Sequence, residues 1–121
     1  MAPRSLVVKV TSGKDDPERC NQALTVAAAA AASGVPVSLW LTGEASWFAT
    51  ADAAVDLALP YATPAAELLD TVRKVGTVTL CTQCAARRMI TEDDVIDGVR
   101  IAGATTFVAE VMAEGAQALV Y

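Results

Sequence analysis

Val75-Gly76-Thr77-Val78-Thr79-Leu80-Cys81-Thr82-Gln83-Cys84-Ala85-Ala86-Arg87-Arg88 is a β-rich apolar run that stops at a cysteine and turns into a short helix. The spacing predicts a strand over Gly76 to Leu80 and a helix over Thr82 to Met89. A sulfur at a strand's carboxyl end lies where open α/β sheets do their chemistry. The helix that follows aims its amino end at Cys81, and that arrangement favours a thiolate. Two readings stand at this point: a working nucleophile, or a small buried residue that closes the strand, since free cysteine is among the most buried types.

The pattern continues outward on both sides. Upstream, Thr63-Pro64 opens a helix through about Lys74. Ala54 to Leu59, stopped by Pro60, reads as a short strand. Val35 to Leu41 is a β-branched strand ending beside Trp40. Near the amino end, Leu6 to Val10 is an apolar strand with one polar interruption, Lys9. Asp16-Pro17-Glu18 is a strong helix start: Asp at the N-cap, Pro at the first helical position, an acid in the first turn. That helix runs to about Ser33 and stops at Gly34. It carries six consecutive alanines from Ala27, a thin surface for close packing. Downstream, Thr91-Glu92-Asp93-Asp94 has capping-box spacing. Gly103 to Glu114 is the last helix and Ala116 to Val120 the last strand. Strands alternating with helices, without hairpin signals, predict a parallel sheet covered on both faces.

Composition narrows the function. A chain of 121 residues is one domain, residues 1–121, long enough for an ordinary core. A net charge of −5 argues against nucleic acid or an anionic membrane as partner. The longest candidate span, Ala23 to Ala32, is far short of the roughly 20 residues a crossing needs. Lys9 breaks the first apolar run too early for a signal peptide, so the expected location is the cytoplasm, where thiols stay reduced. The three cysteines do not suggest a disulfide framework. There is no histidine. That removes the commonest general base and the commonest metal ligand, so neither a metal nor another cofactor is expected.

Each remaining motif has a chemical reading beside a plain one. Cys84 stands three residues after Cys81, so the two can bridge as a redox pair or Cys84 can pack inward. Arg87 and Arg88 lie too far along to pair with Cys81 locally, yet the fold or a neighbouring subunit can return them as substrate contacts. Cys20, in the first turn of the long helix, reads as packing. Ser12-Gly13-Lys14-Asp15-Asp16 is a loop running into a helix amino end, a geometry that can hold an anion at Gly13. It lacks the glycines of a phosphate-binding loop. Its plain reading is a solvated loop whose acids cap the helix. Trp47 and Phe48 are adjacent and cannot both face one core from a single helical turn: either one is exposed, as an interface or a pocket lid, or both are partly buried against the sheet edge.

Three segments together resemble the DsrE/DsrF-like family. One is the first strand with Thr11-Ser12-Gly13 and Asp15-Asp16-Pro17-Glu18-Arg19. The next is the strand, Cys81, the Ala-rich helix and Arg87-Arg88. The last is Gly98-Val99-Arg100-Ile101-Ala102-Gly103-Ala104 before the final helix and strand. The resemblance implies a three-layer, flavodoxin-like α/β sandwich with a five-stranded, mostly parallel sheet, assembled as a trimer or hexamer. It also implies a cysteine that accepts sulfane sulfur as a persulfide and passes it between donor and acceptor proteins. Cys81 alone matches that position. Cys84 has counterparts in some members, Cys20 falls where the family has an apolar residue, and Met89 replaces a glycine that often follows the arginine pair. Three functions follow as expectations: a persulfide carrier, a dithiol–disulfide protein using Cys81 and Cys84, and a non-catalytic scaffold.

Overall fold

Alternating apolar residues make five strands, and helices with one apolar stripe cover them. A computed structural model of the chain describes residues 4–51 and 57–121. In chain order the elements are β1 (Ser5–Val10), α1 (Pro17–Ala32), β2 (Val37–Leu41), a 3₁₀ turn (Gly43–Ala49), α2 (Ala65–Val75), β3 (Thr77–Cys81), α3 (Thr82–Arg87), a second 3₁₀ turn (Glu92–Asp94), β4 (Val99–Ala102), α4 (Ala104–Val111) and β5 (Ala116–Val120). The sheet order is β4-β3-β2-β1-β5. Every pairing is parallel. The chain is therefore a three-layer α/β sandwich around one five-stranded sheet.

The starts and stops follow local chemistry. Asp16 caps α1 by accepting from the Arg19 N–H, with Pro17 at the first position. Gly34, at φ +84, ends it. Thr91 and Asp94 form the reciprocal capping box expected from their spacing.

Partners in a parallel ladder point to the same side, so the register sorts the sheet into two faces. Val8, Leu39, Val78 and Val99 form one row. This face packs under α1 and α2, whose buried positions are Cys20, Ala23, Leu24, Ala27, Ala28 and Ala31, and Ala65, Leu68, Leu69 and Val72. The alanines let α1 lie close to the sheet and to α2. Each fully buried Leu, Val or Phe here is worth about 1.5–3 kcal/mol.

The opposite face carries the row Val120, Lys9, Trp40, Thr79 and Arg100. It lies under α4, which has no fully buried residue. Polar bonds hold this helix down. Glu110 accepts from the Ser38 hydroxyl at 2.5 Å and from Trp40 Nε1 at 3.0 Å, and it pairs with Arg100. Phe107 meets Trp40 edge-on at 5.3 Å.

One expected strand is corrected. The strand read over Ala54 to Leu59 lies partly outside the described residues, and its described part, 57–59, joins no strand. The fifth strand is Val99–Ala102 instead. It is four residues long with Arg100 in its middle, too short and too polar for periodicity to flag. It forms because Arg100 finds partners in Thr79 and Glu110.

Candidate functional site

The site grows from the junction of β3 and α3. Cys81 is the last residue of the strand and, with φ −65 and ψ 128, the N-cap of the helix. It alternates with Leu80, so it shares the face of Thr79 and Lys9 rather than the buried face of Val78. It is partly buried and its thiol is free. Its side chain makes no capping hydrogen bond. Burial pushes the Cys81 thiol up, but four influences together outweigh it: the amide and thiol of Cys84, the amide of Gln83 and the charge of Lys9 hold it below its ordinary value. Lys9, which interrupts the first strand in the sequence, lies on the same sheet face with its ammonium 5.0 Å from the Phe107 ring centroid and acts on the sulfur through its charge. A charged residue inside an apolar strand was the only signal for it.

Cys84 occupies the third helical position, one turn on from Cys81. The Gly43 N–H donates to its sulfur at 3.3 Å. Gly43 ends up there because β2 turns sharply into the 3₁₀ segment. Its φ is +54, and a Cβ would meet the Thr11 carbonyl oxygen at 2.2 Å, so only glycine fits. Sequence reasoning passed over this residue.

Arg88 points away from Cys81. Its Nε and one terminal nitrogen each lie 2.9 Å from the Glu44 carboxylate, and the other donates to the Cys84 carbonyl at 3.2 Å. It clamps α3 to the 3₁₀ turn. Arg87 is exposed at the end of α3 and makes no ion pair among the described residues. Gly13 donates its N–H to Asp15 at 2.7 Å. A Cβ on Gly13 would come 2.7 Å from the Glu44 carbonyl oxygen, so this glycine lets the first loop pack against the same turn. The fold therefore gathers Cys81, Cys84 and Lys9, with Gly13 and Arg88 supporting the turn beside them. Arg87 stays at the rim.

Of the aromatic pair, Phe48 is buried and Trp47 is 39% exposed, one in and one out. Trp47, Arg88, Met89 and Asp93 line an open cleft beside α3. Cys20 is fully buried. Burial, and then the charges of Asp15 and Asp16, push its thiol up to about 12, which makes it inert at neutral pH. Among the described residues, no group of three or more His, Cys, Asp or Glu could hold a metal ion. Among them too, no helix is long and apolar enough to cross a membrane.

A sequence model of the DsrE/DsrF-like family matches residues 4–121, nearly the whole chain. The chain belongs to the DsrE/DsrF-like family. Solved structures similar to this DsrE-like chain include the ychN protein from E. coli, with a TM-score of 0.76 and 20% identity over 98% of this chain and 99% of that one. Another is a protein of unknown function, MTH1491, from Methanobacterium thermoautotrophicum, with a TM-score of 0.72 and 12% identity over 98% and 99% of the two chains. At these identities the likeness concerns the fold. No curated protein matches the sequence. Within the DsrE-like frame, the chemistry open to the site is that of an activated thiol with a second thiol one helical turn away.

Proposed function

We propose that this DsrE-like protein is a persulfide sulfur carrier whose acceptor is Cys81. The observation that carries the reading is the setting of Cys81: a partly exposed strand-end thiol at the amino end of α3, with Cys84 one turn on and Lys9 on the same sheet face, with no histidine needed. In the first step the Cys81 thiolate attacks the outer sulfur of a donor persulfide, R–S–SH. The donor's S–S bond breaks, RS⁻ leaves and Cys81–S–SH remains. An acceptor thiolate then takes the outer sulfur and returns the Cys81 thiolate. Such exchange runs best from a thiol whose pKa lies near ambient pH. Arg87, exposed and without an ion pair among the described residues, is the side chain best able to meet an anionic donor, while Gly13 and Arg88 act through the turn they support. Donor and acceptor are taken to be proteins of the same relay, and on this reading the protein works in the cytoplasm. Its assembly as a homo-oligomer, a trimer or hexamer, fits the apolar side chains Val108, Met112 and Val120 left exposed on the α4 side.

Mass spectrometry after exposure to a low-molecular-weight persulfide tests the reading. One added sulfur is expected on the peptide holding Cys81 in the Cys84→Ser variant, where no second thiol can remove it, and none when Cys81 is replaced by Ser as well. Equal labelling of the single and double variants, or no labelling of Cys84→Ser, would sink it. The proximity of the Cys84 thiol favours a second reading, a dithiol–disulfide protein. Its signature is a reversible loss of two hydrogens with a simple disulfide oxidant and no sulfur uptake.

A further inference from the structure

The second thiol and the way it is held suggest what becomes of bound sulfur. Cys81 is the N-cap of α3 and Cys84 its third residue. A Cys-X-X-Cys pair split between the N-cap and the first turn of a helix is the arrangement in which redox-active dithiols bridge. Cys84 is gripped at both ends. Gly43 donates its N–H to the sulfur at 3.3 Å, and Arg88 donates to the carbonyl at 3.2 Å. Neither grip is loose. Gly43 holds a left-handed turn, φ +54, that a side chain would not fit, and Arg88 is itself anchored by two 2.9 Å contacts to Glu44. A sulfur that served only as core filling would sit among apolar groups. Cys84 instead lies partly exposed, its sulfur accepting from the Gly43 N–H, one helical turn from Cys81.

We infer that Cys84 resolves the Cys81 persulfide, so that the protein reduces persulfide sulfur to sulfide as well as carrying it. The inference rests on Cys81 accepting sulfur. The Cys84 thiolate attacks the inner sulfur, Cys81 Sγ. The bond between Sγ and the outer sulfur breaks, and the outer sulfur departs as HS⁻ with the electron pair. The Cys84 proton goes to solvent. The outer sulfur is reduced and the two thiols are oxidised to a Cys81–Cys84 disulfide, so no outside oxidant enters. A dithiol reductant closes the cycle by reopening the disulfide. Holding the two sulfurs on one helical turn makes the second step intramolecular, which favours it over encounter with a separate acceptor. The substrate class is therefore hydropersulfides, of small thiols or of proteins, and the product is sulfide. An acceptor protein that docks quickly enough intercepts the sulfur before Cys84 does, so the same site partitions between relay and release.

The experiment uses the full chain, reduced, freed of reductant and mixed with cysteine hydropersulfide. Free sulfide is trapped with a fluorescent alkylating reagent, corrected for a protein-free control, and intact mass is read in parallel. Wild type is expected to release one sulfide per chain and to lose two hydrogens. Cys84→Ser and Cys84→Ala are expected to release none and to keep one added sulfur. Stable added sulfur on wild type, with no sulfide, overturns the resolving role and leaves the carrier reading intact. Sulfide release from the Cys84 variants at the wild-type rate overturns it too. Absence of sulfur uptake by the variants and of sulfide from wild type overturns the carrier reading, and the resolving role with it.

Discussion

Three cysteines of one chemical type behave as three different groups because their surroundings differ. Cys81 has amides, a thiol and a cation facing it, and its thiol is held low against the opposing pull of burial. Its alkylation rate should rise with pH through a midpoint below that of an ordinary thiol. In Lys9→Gln the midpoint should move up, because a charge that favours the thiolate is gone. Rates of iodoacetamide labelling at Cys81, followed by peptide mass spectrometry across pH, measure both. An unmoved midpoint in Lys9→Gln would exclude Lys9 from the site's electrostatics. Cys20 is the opposite case. Its thiol is neutral in the folded chain up to about 12, against 9.0 when free of the fold. Folding therefore holds on to a proton that the unfolded chain releases above pH 9.0. The Cys20 contribution to stability is full below that pH and falls by about 1.4 kcal/mol per pH unit as pH rises toward the folded value. Urea melts of wild type and Cys20→Ala between pH 8 and 11 check the sign: only the wild type should carry this extra loss.

At the scale of elements, helix ends are the informative places. α1 and α3 both close with the paired bonds of a Schellman motif. In α1 the Val35 N–H reaches the Ala30 carbonyl and the Gly34 N–H reaches Ala31. In α3 the Ile90 N–H reaches Ala85 and the Met89 N–H reaches Ala86. The left-handed position is Gly34 in the first and Met89, at φ +54, in the second. Met89 is 86% exposed, so its side chain contributes little burial to offset the strain. Replacing it with glycine removes about 1–2 kcal/mol of left-handed strain and adds back about 0.5–1 kcal/mol of chain entropy. Met89→Gly should therefore raise stability by about 0.5–1 kcal/mol, seen as a higher denaturation midpoint at unchanged slope. Gly43→Ala should act the other way. Its Cβ has no room beside the Thr11 carbonyl, so a loss of at least about 2–3 kcal/mol is expected. The Gly43 N–H should also leave the Cys84 sulfur, and a Cys84 labelling rate changed more than that of Cys81 would register it.

Across the whole molecule, the two sheet faces are secured by different physics. The α1–α2 face is an apolar core. The α4 face depends on one carboxylate that gathers Ser38, Trp40 and Arg100. Burial pushes the Glu110 carboxyl up, but these three donors hold it below its ordinary range. Hydrogen bonds to a charged group are worth about 1.5–3 kcal/mol, so Glu110→Ala should cost at least that much. Because its carboxyl is depressed in the fold, its contribution is present above the ordinary carboxylate range and lost as pH falls through the folded value. Chemical denaturation at pH 7 and pH 3 should show the wild type and Glu110→Ala converging in acid. Outside α4, Val108 and Met112 face solvent one turn apart. If they build the oligomer, Met112→Glu should lower the mass seen by sedimentation velocity, and an unchanged mass would remove this surface from the assembly. The sequence by itself determined the alternation of strands and helices, the capped ends of α1 and the strand–Cys81–helix junction. All of these depend on neighbours a few residues apart. The tertiary structure alone decided the rest. Val99–Ala102 became a strand because Arg100 met Thr79 and Glu110. Lys9 came to the sheet face of Cys81, Gly43 reached Cys84, and Arg88 turned from expected ligand contact to clamp. Apart from the Arg100–Glu110 pair, 10 residues apart, each depends on groups more than twenty residues apart in the chain, and only packing brings such groups together.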